Sequence, residues 1–141
     1  MHFNKELEKE IDNFHKTSNL ENYENVINIF PYTILRTPTY LLEDPTISSG
    51  GLLIKKDNTI IFNIIEDSEG QKFIPVFTSE KEYNKMPGLD EASIYHLEFK
   101  NIVGIFKLEN DISGIAINPA DKNFTIDKEL IFEIDEALKD I

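Results

Sequence analysis

Apolar residues recur at helical spacing at both ends of the chain, and short apolar runs lie between them. Near the N-terminus, Phe3, Leu7, Ile11 and Phe14 step by four, four and three positions, with charged residues in most of the intervals. That spacing places the four side chains on one face of an amphipathic helix. We therefore predict an N-terminal helix whose apolar face packs on a core.

A second helix is predicted over the stretch SNLENYENVINIFP. Ser18 and Glu21 stand three residues apart at its start, the spacing of a capping box that satisfies free backbone N–H groups. Pro31 disfavours a helical conformation at Phe30, so the helix should end about there. Its apolar face is predicted to consist of Leu20, Tyr23, Ile27 and Phe30.

The middle of the chain is predicted to form strands joined by turns. The runs TILRTPTYLLEDP, GLLI, TIIFNIIED and KFIPVFT are short and rich in residues that favour strands. The EDSEGQK connection should close an antiparallel hairpin in which Gly70 supplies a positive φ. The later run SIYHLEF predicts a half-buried strand. Its two faces would carry Tyr95, Leu97 and Phe99 on one side and Ile94, His96 and Glu98 on the other.

The C-terminal part is predicted to contain a helical segment over residues 101–108, the strands SGIAINP and KNFTI, and a final helix, DKELIFEIDEALKDI. Asp127 is the expected cap of that helix, and Ile126 can pack on Ile131 as a hydrophobic staple. The small residues Gly114 and Ala116 should allow a helix to pack closely on their strand. The apolar face of the final helix is predicted to consist of Leu130, Ile134, Ala137, Leu138 and Ile141.

Helices at both ends and strands between them predict an α+β fold. We expect a single domain over residues 1–141, with a mixed or mainly antiparallel sheet that includes the hairpin and with the terminal helices packed on it. A chain of 141 residues has the size of one domain, and it shows no internal repeat or linker.

The net charge of the chain indicates which classes of binding partner it would attract and which it would repel. There are 26 acidic and 14 basic residues, the formal net charge is −12, and Arg36 is the single arginine. Such a surface repels phosphate backbones and anionic lipids, so nucleic acid and membrane are excluded as partners. A basic protein partner would be attracted, although the charge also has a simpler explanation, which is that it keeps the protein in solution.

The sequence has no cysteine, which excludes disulfides, thiolate metal sites and thiol nucleophiles. The N-terminal stretch MHFNKELEKEID lacks the apolar core of a secretory signal, and no run approaches the length of a membrane span. These features predict a soluble cytoplasmic protein.

The stretch FIPVFTSEKEY places two hydroxyls beside charged residues and could be either a reaction centre or a helix start. Ser79 follows a predicted strand and stands three residues before Glu82, which is the arrangement of a capping box. A nucleophilic serine would need a base and an oxyanion hole, but no Gly-x-Ser-x-Gly elbow and no nearby histidine is present. We therefore interpret Ser79 as a cap and predict no catalytic residue.

The remaining polar groups give only one candidate cluster. The histidines His2, His15 and His96 lie in separate segments without metal-ligand spacing, so no metal site and no cofactor are predicted. The candidate cluster would bring polar side chains together at strand ends. Its members are Thr78, His96, Glu98 and Asn118.

Two short motifs resemble those of the N-terminal domain of the SseB family. The members of this family are the bacterial enhanced serine sensitivity proteins. The first is IPVFTSEKEY, with Pro75, Val76, Phe77 and Thr78, and the second is GIAINPADKNFTI, with Asn118 before Pro119. The resemblance covers residues 38–141 and leaves residues 1–31 as a helical N-terminal extension. It implies an α+β adaptor-like domain and brings no catalytic residues.

Two functions from different classes remain open. The first is a non-catalytic module that binds another protein, as an accessory or immunity-type partner of a secreted or basic protein. The second is a small-molecule-binding or enzymatic domain with a polar pocket near His96 and Asn118. A deep apolar pocket with the four cluster side chains pointing inward would favour the second function, and an acidic or apolar surface patch would favour the first.

Overall fold

Two four-stranded sheets and five α-helices form the part of the chain that the structure, a computed structural model, describes: residues 3–41, 51–54, 60–89, 92–109 and 111–139. The predicted α+β fold is confirmed. In chain order the elements are α1 (Asn4–Lys16), α2 (Leu20–Ile29), a 3-10 turn (Phe30–Tyr32), β1 (Leu35–Leu41), β2 (Gly51–Ile54), β3 (Ile60–Asn63), β4 (Ile65–Glu66), β5 (Lys72–Val76), α3 (Glu80–Asn84), β6 (Ser93–Leu97), α4 (Phe99–Leu108), β7 (Gly114–Ile117), β8 (Phe124–Asp127) and α5 (Lys128–Lys139).

The two sheets differ in strand direction. The first has the order β2-β3-β1-β6 and is antiparallel throughout. The second has the order β4-β5-β7-β8, and its central pair β5 and β7 is parallel. A single bridge joins the sheets: the N–H of Arg36 donates to the carbonyl of Phe77 at 2.9 Å, and the reverse bond measures 2.8 Å.

The predicted hairpin is confirmed between β4 and β5, where Gly70 has a φ of 82°. All four residues of β7 are buried, as expected for a strand that is covered on both faces. The main core combines residues of both sheets with residues of α1, α2, α4 and α5. The fully buried members include Leu7, Ile11, Val26, Ile74, Ile115, Ile117, Ile126 and Ile131.

The start of α2 differs from the prediction. Asn19, in an extended conformation, is the N-cap, and its side chain accepts a hydrogen bond from the N–H of Asn22 at 2.8 Å. Ser18, two residues after the end of α1, instead donates its hydroxyl to the carbonyl of Phe14. Leu20, predicted on the buried face, is 70% exposed, and Val26 is buried in its place.

Strand β6 is also more exposed than predicted. It is an edge strand of the first sheet, and of its five residues only Leu97 is buried. Tyr95 is 40% exposed, and Phe99 belongs to the first turn of α4 rather than to the strand. The alternating pattern was correct for strand formation, but it could not show that β6 lies at the edge of its sheet with Tyr95 exposed.

A glycine is needed at position 114 because a neighbouring strand lies close to it. The sequence analysis had predicted that a helix would make this close approach. A Cβ atom at Gly114 would lie 2.1 Å from the carbonyl oxygen of Ile126, in β8. The two residues of the predicted staple, Ile126 near the end of β8 and Ile131 in α5, are both fully buried. The predicted apolar face of that helix is only partly buried, and Ile141 lies outside the described residues.

Candidate functional site

The two motifs that carried the family resemblance meet where the central strands β5 and β7 of the second sheet end. Strands β5 and β7 are parallel, with Val76 opposite Ile117, so their carboxyl ends lie side by side. Thr78 follows the first strand by two residues, and Asn118 directly follows the second. In sheets with parallel strands, this edge is where ligands commonly bind.

Thr78 and Asn118 are buried and hydrogen-bonded to each other. The N–H of Thr78 donates to Oδ1 of Asn118 at 3.1 Å, and Nδ2 of Asn118 donates to Oγ1 of Thr78 at 3.0 Å. Only 3% of Thr78 and 5% of Asn118 is exposed. Asn118 has a φ of 50°, a left-handed conformation that asparagine tolerates better than most residues.

Helix α1 is fastened to the same place by two polar side chains. The hydroxyl of Thr78 donates to the carboxylate of Glu8. Nδ2 of Asn4 donates to the carbonyls of Thr78, at 2.9 Å, and Ile34, at 2.7 Å, while its Oδ1 accepts from the N–H of Ile34 at 3.2 Å. The hydrogen-bonding groups at the strand ends are therefore satisfied largely within the protein.

Ser79 is the N-cap of α3. Its hydroxyl accepts a hydrogen bond from the N–H of Glu82 at 3.2 Å, as the sequence predicted. The carboxylate of Glu82 lies 2.7 Å from the ammonium group of Lys85. This stretch is therefore the start of a helix.

A polar groove of about 460 Å³ lies beside this network, between α1, the start of α3 and the turn after β7. Lys85 donates hydrogen bonds to the carboxylates of Asp121 and Glu82, and these bonds raise the pKa of Lys85. The hydrogen bond from Lys85 in turn lowers the pKa of Asp121. Lys122 is similarly paired with Asp12 at 2.8 Å, so both lysines already have acidic partners. The groove is lined by Glu8, Ile11, Asp12, Ser79, Lys81, Glu82, Lys85, Asn118, Asp121 and Lys122.

The structure brings Thr78 and Asn118 together but leaves His96 and Glu98 elsewhere. His96 is exposed on β6, opposite Arg36 in the first sheet. Glu98 is exposed just before α4, where its N–H donates to Oδ1 of Asn101 at 2.9 Å. The groove that Asn118 lines includes neither His96 nor Glu98.

Asn4 and Glu8 were not predicted to belong to the hydrogen-bond network around Thr78. Both lie among the polar positions of α1, which a helical pattern assigns to solvent. Their partner Thr78 is 74 and 70 residues away in the sequence, so no local signal indicates these contacts.

The remaining two histidines of the chain are His2 and His15. His15 lies with Nε2 at 2.9 Å from the carbonyl of Asn123, and His2 falls outside the described residues. Over the ranges that the structure describes, no group of three or more histidine or acidic residues is arranged to hold a metal ion. Among the same residues, no helix has both the length and the apolar character needed to cross a membrane.

The fold and the site define an α+β domain in which hydrogen bonds join the Thr-Ser segment after one strand to the Asn-Pro turn after another. The family model of the SseB protein N-terminal domain matches residues 7–133, and the chain belongs to this family. The match includes α1 and α2. From the two motifs alone, the resemblance was predicted to cover only residues 38–141. No curated protein and no solved structure shows significant similarity to the chain.

Proposed function

We propose that this SseB-family domain is a non-catalytic module that binds another protein through an acidic surface. The observation that carries the proposal is the excess of surface carboxylates over basic partners. The sequence has 26 acidic and 14 basic residues. Within the described part of the chain, the carboxylates of Asp12, Glu82, Asp121, Asp135 and Glu136 form ion pairs with lysines.

The excess is greatest on two helices. Helix α2 carries the exposed residues Glu21 and Glu24 and has no basic residue. On α5, Glu129, Glu133 and Glu136 are exposed. Charges of one sign on one surface attract an oppositely charged partner and raise the rate of association.

The alternative, a small-molecule or enzymatic site, has less support. Thr78 and Asn118 are the buried polar groups at the strand ends, and each is engaged with the other. Lys85 and Lys122 in the adjoining groove are paired with carboxylates. A ligand would have to displace these internal contacts in order to bind.

The proposal includes a bacterial cytoplasmic location, which the cysteine-free sequence supports. The test is to purify the tagged chain from its native cell, identify the protein that remains bound, and measure the association and dissociation rates across a salt series. We expect the association rate to fall as salt rises, since the Debye length is about 8 Å at physiological ionic strength. The dissociation rate should change less and serves as the internal control.

A salt-independent association rate would remove the acidic surface from the proposal. A metal ion or nucleotide bound stoichiometrically to the purified chain would overturn the binding-module function as a whole.

A further inference from the structure

Helix α5 carries more apolar surface than the core covers. Ile131 is fully buried against the sheet. Leu130, Ile134 and Leu138, spaced by four residues along one line of the helix, are only partly buried. This line is the apolar face that the sequence predicted to lie in the core, and Ala137 beside it is exposed.

The half-covered line of α5 forms one wall of an apolar groove. The opposite wall consists of Ile27 and Asn28 at the end of α2, followed by Pro31 and Tyr32 of the 3-10 turn. We call this space the α2–α5 groove; its volume is about 370 Å³. On the α5 side it is lined by Leu130, Glu133, Ile134, Ala137 and Leu138.

A second depression of about 360 Å³ continues from the α2–α5 groove. The two share Pro31 and Tyr32, and the second is lined further by Phe3 and Phe99. Tyr32 stands between them, 53% exposed, with its ring edge-to-face to that of Phe3 at 6.4 Å. An exposed aromatic ring between two apolar depressions is the kind of side chain that dominates binding at protein interfaces.

The rim of the α2–α5 groove is negatively charged. On α2, Glu24 lies four residues before Asn28, and on α5, Glu133 lies four residues before Ala137, so each glutamate stands next to a groove residue. Both glutamates are exposed. Lys139, near the end of α5, lies 3.4 Å from both Asp135 and Glu136 and is thus partly neutralised.

We propose that the α2–α5 groove binds an amphipathic helix of a partner protein whose polar face is basic. An apolar floor between two helices suits the apolar face of a third helix, with anchors at i, i+3 or i+4, and i+7. The glutamates on the rim suit lysine or arginine next to those anchors. A second copy of this chain would bring the same acidic helices and would be repelled. The inference rests on the proposed function and specifies its binding surface.

The test uses the full chain and defined peptides. The probe is a fluorescent peptide of about 15 residues, near the length at which isolated helices become stable, made of leucine and lysine with the leucines on one helical face. The first control peptide has the same composition in an order that does not place the leucines on one face. The second has glutamate in place of lysine. We expect the first peptide to bind at least about tenfold more tightly than either control, as measured by fluorescence anisotropy.

Variants then locate the binding. We expect Tyr32→Ala and Glu133→Lys each to weaken binding by about tenfold, while Tyr32→Phe keeps the ring and binds like the original chain. Glu69→Lys, in the exposed β4–β5 turn, changes the net charge as much as Glu133→Lys does and should have a much smaller effect. Circular dichroism of each variant establishes that the fold is retained.

Equal affinity for the ordered and reordered peptides would overturn the inference, as would equal effects of Glu133→Lys and Glu69→Lys. A concentration-dependent dimer that Tyr32→Ala dissociates would assign the groove to a second copy and would also overturn it. If a native protein partner binds with a salt-dependent rate and Tyr32→Ala leaves that binding unchanged, only the assignment of the groove fails. If no protein partner binds, the proposed function fails, whatever the peptides show.

Discussion

The side chain of Asn118 exchanges two hydrogen bonds with Thr78, forty residues earlier in the chain. One bond satisfies the backbone N–H of Thr78, and the other reaches its hydroxyl. Because each residue follows one of the two parallel strands, the pair fastens the carboxyl ends of β5 and β7 to each other. The hydroxyl of Thr78 extends the connection to Glu8 in α1.

Replacing Asn118 should therefore destabilise the fold. Asn118→Ala leaves the buried N–H of Thr78 without its acceptor and keeps a left-handed backbone at a residue that tolerates it poorly. We expect a loss of about 3 kcal/mol in the free energy of unfolding, measured by urea denaturation. Asn84→Ala, at an exposed position in α3, is the matched control. A loss below about 0.5 kcal/mol, typical of surface substitutions, would show that the pair is not needed.

The cap of α3 gives a second prediction. Ser79→Ala removes the acceptor for the N–H of Glu82 and should cost about 1 kcal/mol in the free energy of unfolding. Ser79→Asp retains a capping oxygen and should stay within a few tenths of a kcal/mol of the original chain. If Ser79→Ala abolished partner binding without any change in thermal stability, Ser79 would be a functional residue and the capping role would be insufficient.

The two glycines at 104 and 114 should respond in opposite directions to the same substitution. At Gly114 an added Cβ meets the carbonyl oxygen of Ile126 at 2.1 Å, so Gly114→Ala should destabilise by about 3 kcal/mol, and Gly114→Val by more. At Gly104 in α4 nothing lies within 4 Å of the added atom. Gly104→Ala should stabilise by about 0.5–1 kcal/mol through its helix propensity. Thermal denaturation of both variants measures the contrast, and a shift of the same sign at both would contradict it.

Tyr23 makes stability depend on alkaline pH. Burial, with a smaller contribution from the charge of Asp127, raises the pKa of Tyr23 above its ordinary value of 10.0. The folded state therefore holds this proton at a pH where the unfolded state has released it, so the free energy of unfolding falls as pH rises past 10.0. We expect Tyr23→Phe to reduce that fall, as measured by urea denaturation across a pH series. Identical pH profiles for Tyr23→Phe and the original chain would contradict the assignment.

Local signals predicted most of the elements, and long-range contacts account for most of the differences. The positive φ of Gly70 and the cap at Ser79 follow from a few neighbouring residues, and both were predicted. The exposure of Tyr95 depends on β6 being at the edge of its sheet, which the sequence of β6 does not contain. The close neighbour of Gly114 was predicted to be a helix, because a small residue indicates a close approach but not which element approaches.

The candidate site shows the same limit. Thr78 and Asn118 were selected as polar residues at strand ends, and the structure places them in contact. Thr78 and Asn118 are brought together by the parallel pairing of β5 and β7. In the sequence these two strands are separated by α3, β6 and α4, and β6 belongs to the other sheet. His96 and Glu98 were selected by the same reasoning, but both are exposed, His96 on β6 and Glu98 just before α4. Strand ends alone therefore do not determine which polar residues meet.

The position of α1 has a consequence for how the protein folds during synthesis. Asn4 and Glu8 are held by Thr78, and Asp12 is paired with Lys122 at 2.8 Å. A ribosome produces α1 before Thr78 and Lys122, two residues that fix its place. Until they are made, α1 lacks these polar partners, although α2, which contacts α1 in the folded protein, follows it directly in the chain. Loop closure over such separations is slow and favours late docking of the N-terminus.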